Sequence, residues 1–166
     1  MILSTQPLGD ANALKCKLAG ELLRSSGTLC LRVSGWSMLP TIWPGDTLIV
    51  ESACNSDVFE GDVVVFSNGR RFVAHRVVTK DSGSGDSMVQ TQGDALSRRD
   101  APVSHDELLG KVSFIIRKGK RVKPATSLRL PERALAAVFR RSTLTARVVV
   151  GVHGMRSHRQ SPLPTP

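Results

Sequence analysis

Between residues 28 and 117 the chain is written almost entirely in short β-branched runs. "TLCLRV" (28–33), "DTLIVE" (46–51), "DVVVFS" (62–67), "RFVAHRVV" (71–78), "SMVQTQ" (87–92) and "GKVSFIIR" (110–117) are each bounded by turn residues. No helical pattern lies between them. Six strands without interleaved helices predict a mainly β domain built on a coiled, antiparallel, barrel-like sheet. Three of the turns end in Gly-Asp: Gly45-Asp46, Gly61-Asp62 and Gly93-Asp94. Glycine supplies a positive φ and aspartate bonds the adjacent backbone, so these pairs read as strand starters. "KDSGSGDS" (80–87) reads as a hairpin tip.

Helical patterns occur only at the flanks. Residues 10–25 predict a helix capped by Asp10, with Leu14, Leu18, Leu22 and Leu23 forming one apolar stripe. After Lys118, "KGKRVKP" reads as a basic linker. "PERALAAVFRRS" (131–142) then reads as a basic helix with Pro131 in its first turn, able to run on to Val152. The final "RQSPLPTP" reads as disordered. The expected organisation is an N-terminal amphipathic helix (1–27), a β domain (28–118) and a basic linker, helix and tail (119–166). A length of 166 residues with 40% apolar content suits one such domain with appendages.

The net charge of +9 is uneven. From Arg117 onward Lys and Arg crowd around a single acid, Glu132, whereas the rest of the chain is slightly acidic. Such a tail favours anionic surfaces, and an anionic membrane surface is the expected partner. Nucleic acid is not expected, because no aromatic stacking motif accompanies the charge. Cys16, Cys30 and Cys54 have no paired spacing, so neither a disulfide framework nor a zinc site is expected, and no cofactor is implied. No apolar run approaches the roughly 20 residues that span a bilayer, and the N-terminus lacks the pattern of a secretory signal. The expected location is the cytoplasm or the membrane face.

The chemistry concentrates in "VSGWSMLPTIWPGD" (33–46), where Ser37 stands between Trp36 and Met38 just before a proline turn. A serine nucleophile needs a base. Of His75, His105, His153 and His158, His75 stands apart, because it sits on the apolar face of a strand with Val73 and Val77. A polar group there needs a partner. Asp94 and Asp100 follow in "TQGDALSRRD", and either suits the acid of a Ser-His-Asp set.

These residues resemble the type I signal peptidases and the related self-cleaving repressor peptidases. "VSGWSMLPTIWPGD" is similar to their nucleophile box, and "EGDVVVFS…FVAHRVV" to the strand pair that carries the general base. "TQGDALSRRD" is similar to their Gly-Asp segment and "LLGKV" (108–112) to the closing strand. The bacterial enzymes and the repressors carry a lysine base. His75 is instead similar to the endoplasmic-reticulum and archaeal type. The resemblance covers about residues 28–117 and implies a serine endopeptidase that cuts an extended peptide or precursor protein after a small residue.

By the same match Ser37 is the nucleophile, His75 the base and Asp100 the orienting acid, while Asp94 holds the loop or shares that role. The oxyanion hole falls to backbone donors, since Gly35 stands where some members have a serine. The substrate adds a strand near Gly35 and residues 71–75, so Gly35, Trp36, Met38, Val73 and Ala74 are the substrate-binding candidates. Two features of the relatives are not expected. The charged segment before Ser37 does not spell a membrane-spanning helix. The dipeptide Ala19-Gly20, of the kind repressors cleave in themselves, lies inside a predicted helix.

Overall fold

The computed structural model describes residues 8–68, 71–81, 88–128 and 130–141. Helix α1 (Leu8–Ser26) precedes the strands β1 (Thr28–Arg32), β2 (Thr47–Ser52), β3 (Val63–Ser67), β4 (Phe72–Lys80), β5 (Val89–Gln92), β6 (Leu108–Arg117) and β7 (Lys120–Val122). Helix α2 (Leu130–Arg141) follows. All strand pairs are antiparallel, in the order β1-β2-β6-β3-β4-β5, and the seven-stranded sheet is not closed. The long β6 serves three neighbours. One edge pairs with β2, and the other is shared between β3 near Gly110 and β7 near Ile116.

β3 shows why this sheet has two covered faces. Its Val63, Val64, Val65 and Phe66 are all buried, the unbroken apolar run of a strand packed on both sides. Alternate residues feed two different cores. Val63 and Val65 join Leu23, Met38, Ile42, Leu48, Val50, Val112 and Ile115. Val64 and Phe66 join Val58, Val77, Val89, Val103 and Leu108.

Three expectations change. The leucines of α1 do not form one inward stripe. Leu23 is buried with Cys16 and Gly20, whereas Leu14, Leu18 and Leu22 are each more than half exposed. The helix turns its 16-20-23 face to the sheet, where Gly20 lets it approach Leu109 closely, and the leucines lie on the neighbouring face. Asp10 falls inside the helix rather than capping it. The basic linker contains a strand instead. Lys118 and Gly119 both take positive φ, the two-residue hairpin turn that folds β7 back on β6. The tip at 82–87, the extension of α2 to Val152, the C-terminal tail, His153 and His158 lie outside the described residues. No helix among the described residues is long and apolar enough to cross a membrane.

Candidate active site

Past β1 the chain leaves the sheet in a loop, 33–46, whose neck is closed by two backbone bonds, Val33 N–H to Asp46 C=O and Gly45 N–H to Val33 C=O. Gly45 takes φ 93°, a conformation that L side chains resist. Asp46 then reaches back, its Oδ2 accepting from Trp43 N–H at 2.8 Å and from Arg117 of β6 at 2.6 Å. Gly61-Asp62 repeats the device with φ 92°, the N–H of Phe59 and Lys111 of β6. Inside the first loop, tight turns carry Leu39 N–H to Trp36 C=O and Ile42 N–H to Met38 C=O, and the Leu39-Pro40 bond is cis. Ser37 lies at the start of this turn.

His75 stands on β4 opposite Val64 of β3 and is 4% exposed. Its Nε2 lies 3.0 Å from Ser37 Oγ. Its Nδ1 lies 2.6 Å from Asp100 Oδ2. The same carboxylate oxygen accepts the hydroxyl of Thr91 at 2.7 Å, and Asp100 N–H donates to Thr91 C=O. Burial pushes the Asp100 carboxyl up. The bonds from His75 and Thr91, with the attraction of the imidazole, outweigh burial and hold it below the usual carboxylate range. An ionised Asp100 accepts only, so Nδ1 carries the proton and Nε2 offers its lone pair to the serine hydroxyl.

The two acids therefore part company. Asp94 is 4% exposed and binds Arg76 in a fork, Oδ1 from Nε and Oδ2 from Nη2, each at 2.8 Å. Thr41 of the nucleophile loop donates its hydroxyl to the same Asp94 oxygen. Arg76 spends its remaining nitrogen on the carbonyls of Gly61 and Ala125. This buried arginine was not among the residues singled out from sequence. The signal was present, a charge standing inside an otherwise apolar strand run, which demands a fixed partner.

Gly93-Asp94 is also not the strand-starting turn that the other two pairs are. It follows β5, and Gly93 is small for reasons of space. A Cβ built there would lie 2.6 Å from Ser37 O and 3.0 Å from His75 Nε2. The next residues lock the loop in place, with Ala95 N–H donating to Ser37 C=O at 2.9 Å.

The remaining candidates divide by face. Gly35 and Ala74 line one apolar cavity of about 160 Å³ with Leu31, Val33, Leu48 and Phe72. Val73 lines another of about 320 Å³ with His75, Leu96 and Asp100. Between these cavities the β4 segment Phe72–His75 pairs with β3 on one side, whereas pairing with β5 starts only at Arg76, so the other side has no strand partner among the described residues. Met38 is 3% exposed and belongs to the main core, so it backs the loop. Trp36 is half-buried and packs beside Leu39 and Ala95. A larger cavity, about 570 Å³, lies beyond Arg76 between β4, β5 and the segment leading into α2, and neither Ser37 nor His75 lines it. His105 is exposed on a turn. No cluster of His, Cys, Asp and Glu suited to a metal ion occurs among the described residues.

Set against known families, residues 4–86 match the model described as Peptidase S24-like, half of the 166-residue chain. The matched span holds Ser37 and His75 and ends before Asp94 and Asp100. No curated protein matches the chain.

Proposed function

The chain belongs to the Peptidase S24-like family, and from that premise we propose that it is a serine endopeptidase of signal-peptidase-like specificity with Ser37 as nucleophile, His75 as general base and Asp100 as orienting acid. The observation that carries this reading is the continuous line of two hydrogen bonds, Ser37 Oγ to His75 Nε2 and His75 Nδ1 to Asp100 Oδ2.

In this reading a peptide lies extended between residues 33–35 and the unpaired side of Phe72–His75, adding a strand through main-chain bonds. Ser37 Oγ attacks the scissile carbonyl carbon while its proton passes to His75 Nε2. The N–H of Ser37, which makes no backbone hydrogen bond among the described residues, faces the developing oxyanion. The tetrahedral intermediate collapses, the C–N bond breaks and His75 returns the proton to the leaving amine. Water then repeats the sequence on the acyl-enzyme and frees the serine. Asp100, held ionised, keeps the imidazole in the productive tautomer and stabilises the imidazolium. The cavity between Gly35 and Ala74 is narrow and apolar, which suits a small aliphatic side chain near the cut.

A peptide library read by mass spectrometry tests this. The wild type is expected to cut after small residues. Ser37→Ala is expected to lose on the order of 10⁵-fold or more of that activity with its thermal unfolding unchanged. Cleavage that persists in Ser37→Ala overturns the assignment.

A further inference from the structure

The only two tryptophans of the chain, Trp36 and Trp43, lie against the same small apolar cluster. Its buried members come from three places: Leu39 in the nucleophile loop, Ala95 after β5, and Phe139 in α2. Phe139 is 3% exposed and Ala136 is 1% exposed, while Leu135 and Val138 of the same helix are 40% and 54% exposed. The helix therefore docks by one face, and that face meets the loop that carries Ser37.

The members of this cluster lie close to Ser37. Trp36 precedes it and Leu39 follows two residues later. Ala95 donates its N–H to the carbonyl of Ser37 itself. Met38 packs in the main core and Leu39 in the cluster with Phe139, so neighbouring residues of the loop are held by two separate clusters. The segment leading into α2 is tied independently, because Arg76 donates to Ala125 C=O at 2.6 Å and Gly61 packs under Thr126.

We propose that α2 is a positioning element for the nucleophile and that Phe139 is its positioning residue, holding Ser37 Oγ against His75 Nε2 through Trp36, Leu39 and Ala95. The inference rests on the serine-peptidase reading. Its physical basis is that the nucleophile sits in a loop, whose geometry depends on the side chains packed against it. An error of about 1 Å at such a site costs on the order of a hundredfold in rate.

The test uses the full chain, with Phe139→Ala, Phe139→Leu, Ser37→Ala and a control, Val58→Ala, which removes buried volume from the other core. Intrinsic fluorescence reports the docking of α2, since both tryptophans line it. Acylation by a serine-directed fluorophosphonate reports the state of Ser37 without a peptide substrate. Phe139→Ala is expected to shift the emission and to slow acylation by about tenfold or more, lowering kcat with KM little changed. Phe139→Leu is expected to restore most of the rate. Val58→Ala is expected to lower Tm and leave acylation alone. If acylation in Phe139→Ala matches the wild type, or falls only in step with Tm as in Val58→Ala, this inference is overturned and the peptidase reading stands. If the wild type is acylated no faster than Ser37→Ala, the peptidase reading is overturned and this inference falls with it.

Discussion

His75 and Ser37 meet across 3.0 Å, but the chain holds them by different means. His75 belongs to a nine-residue strand whose register is set on one side by β3 and, from Arg76 on, by β5. Five consecutive pairings with β3 fix where the ring stands before any side chain acts. Ser37 has no such frame. Its loop is pinned from outside by Asp46 to Arg117, by Thr41 to Asp94 and Arg76, and by Ala95 to its own carbonyl. A strand delivers a residue through repetition, whereas a loop needs a dedicated clamp at each point. The base should therefore tolerate local damage better than the nucleophile does.

Among changes to the partners that hold this pair, the largest effect is expected from the acid behind the base. Asp100→Asn keeps the shape and removes the charge, so the imidazole loses its tautomer control. Activity should fall by about 10³–10⁴-fold with the fold intact. A fall below about tenfold in steady-state assays would show that Asp100 does not orient the base.

On the loop-held side Arg76→Ala removes the ion-pair partner of the buried Asp94 carboxylate and the bond from Arg76 to Thr41, leaving the Thr41 hydroxyl on Asp94. A loss of about 3–5 kcal/mol in urea unfolding is expected, since one partner of a buried pair is removed. Arg117→Ala acts on a clamp whose arginine is 35% exposed, so about 1 kcal/mol is expected. Equal losses in the two variants would break the ranking of the clamps. The imidazole Nδ1–H proton signal should survive both changes, because neither arginine touches the His75–Asp100 bond.

The smallest effect is one of pH. The folded Asp100 carboxyl lies below its ordinary value of 3.8, so its contribution to stability is complete above that value and is lost as pH falls through the lower folded one. Wild-type Tm should decline in acid more steeply than that of Asp100→Asn between about pH 5 and pH 2. Parallel curves would mean that the carboxylate gains nothing from its place beside His75.

Much of this was legible in the residues, and the failures have physical causes. Six strands announced themselves through β-branched runs, because local composition and burial agree there. β7 did not, since its three residues are exposed, two of them are basic, and only the Lys118-Gly119 turn betrays it. Ser37 and His75 stood out as a serine and a histidine in unusual company, whereas the separate placing of Asp94 and Asp100 depends on where the chain turns after β5. The leucines of α1 misled because a helix offers neighbouring apolar faces, and the one that docks is chosen by the small Gly20 against Leu109. The docking of Phe139 on the nucleophile loop is a contact between distant parts of the chain, to which no periodicity points.

Gly93 has a consequence of another kind. Any base change that alters a glycine codon to another amino acid brings in a Cβ, and here that atom meets the serine carbonyl and the histidine ring at once. At this position, although the residue carries no functional group, every such change lands on the machinery itself.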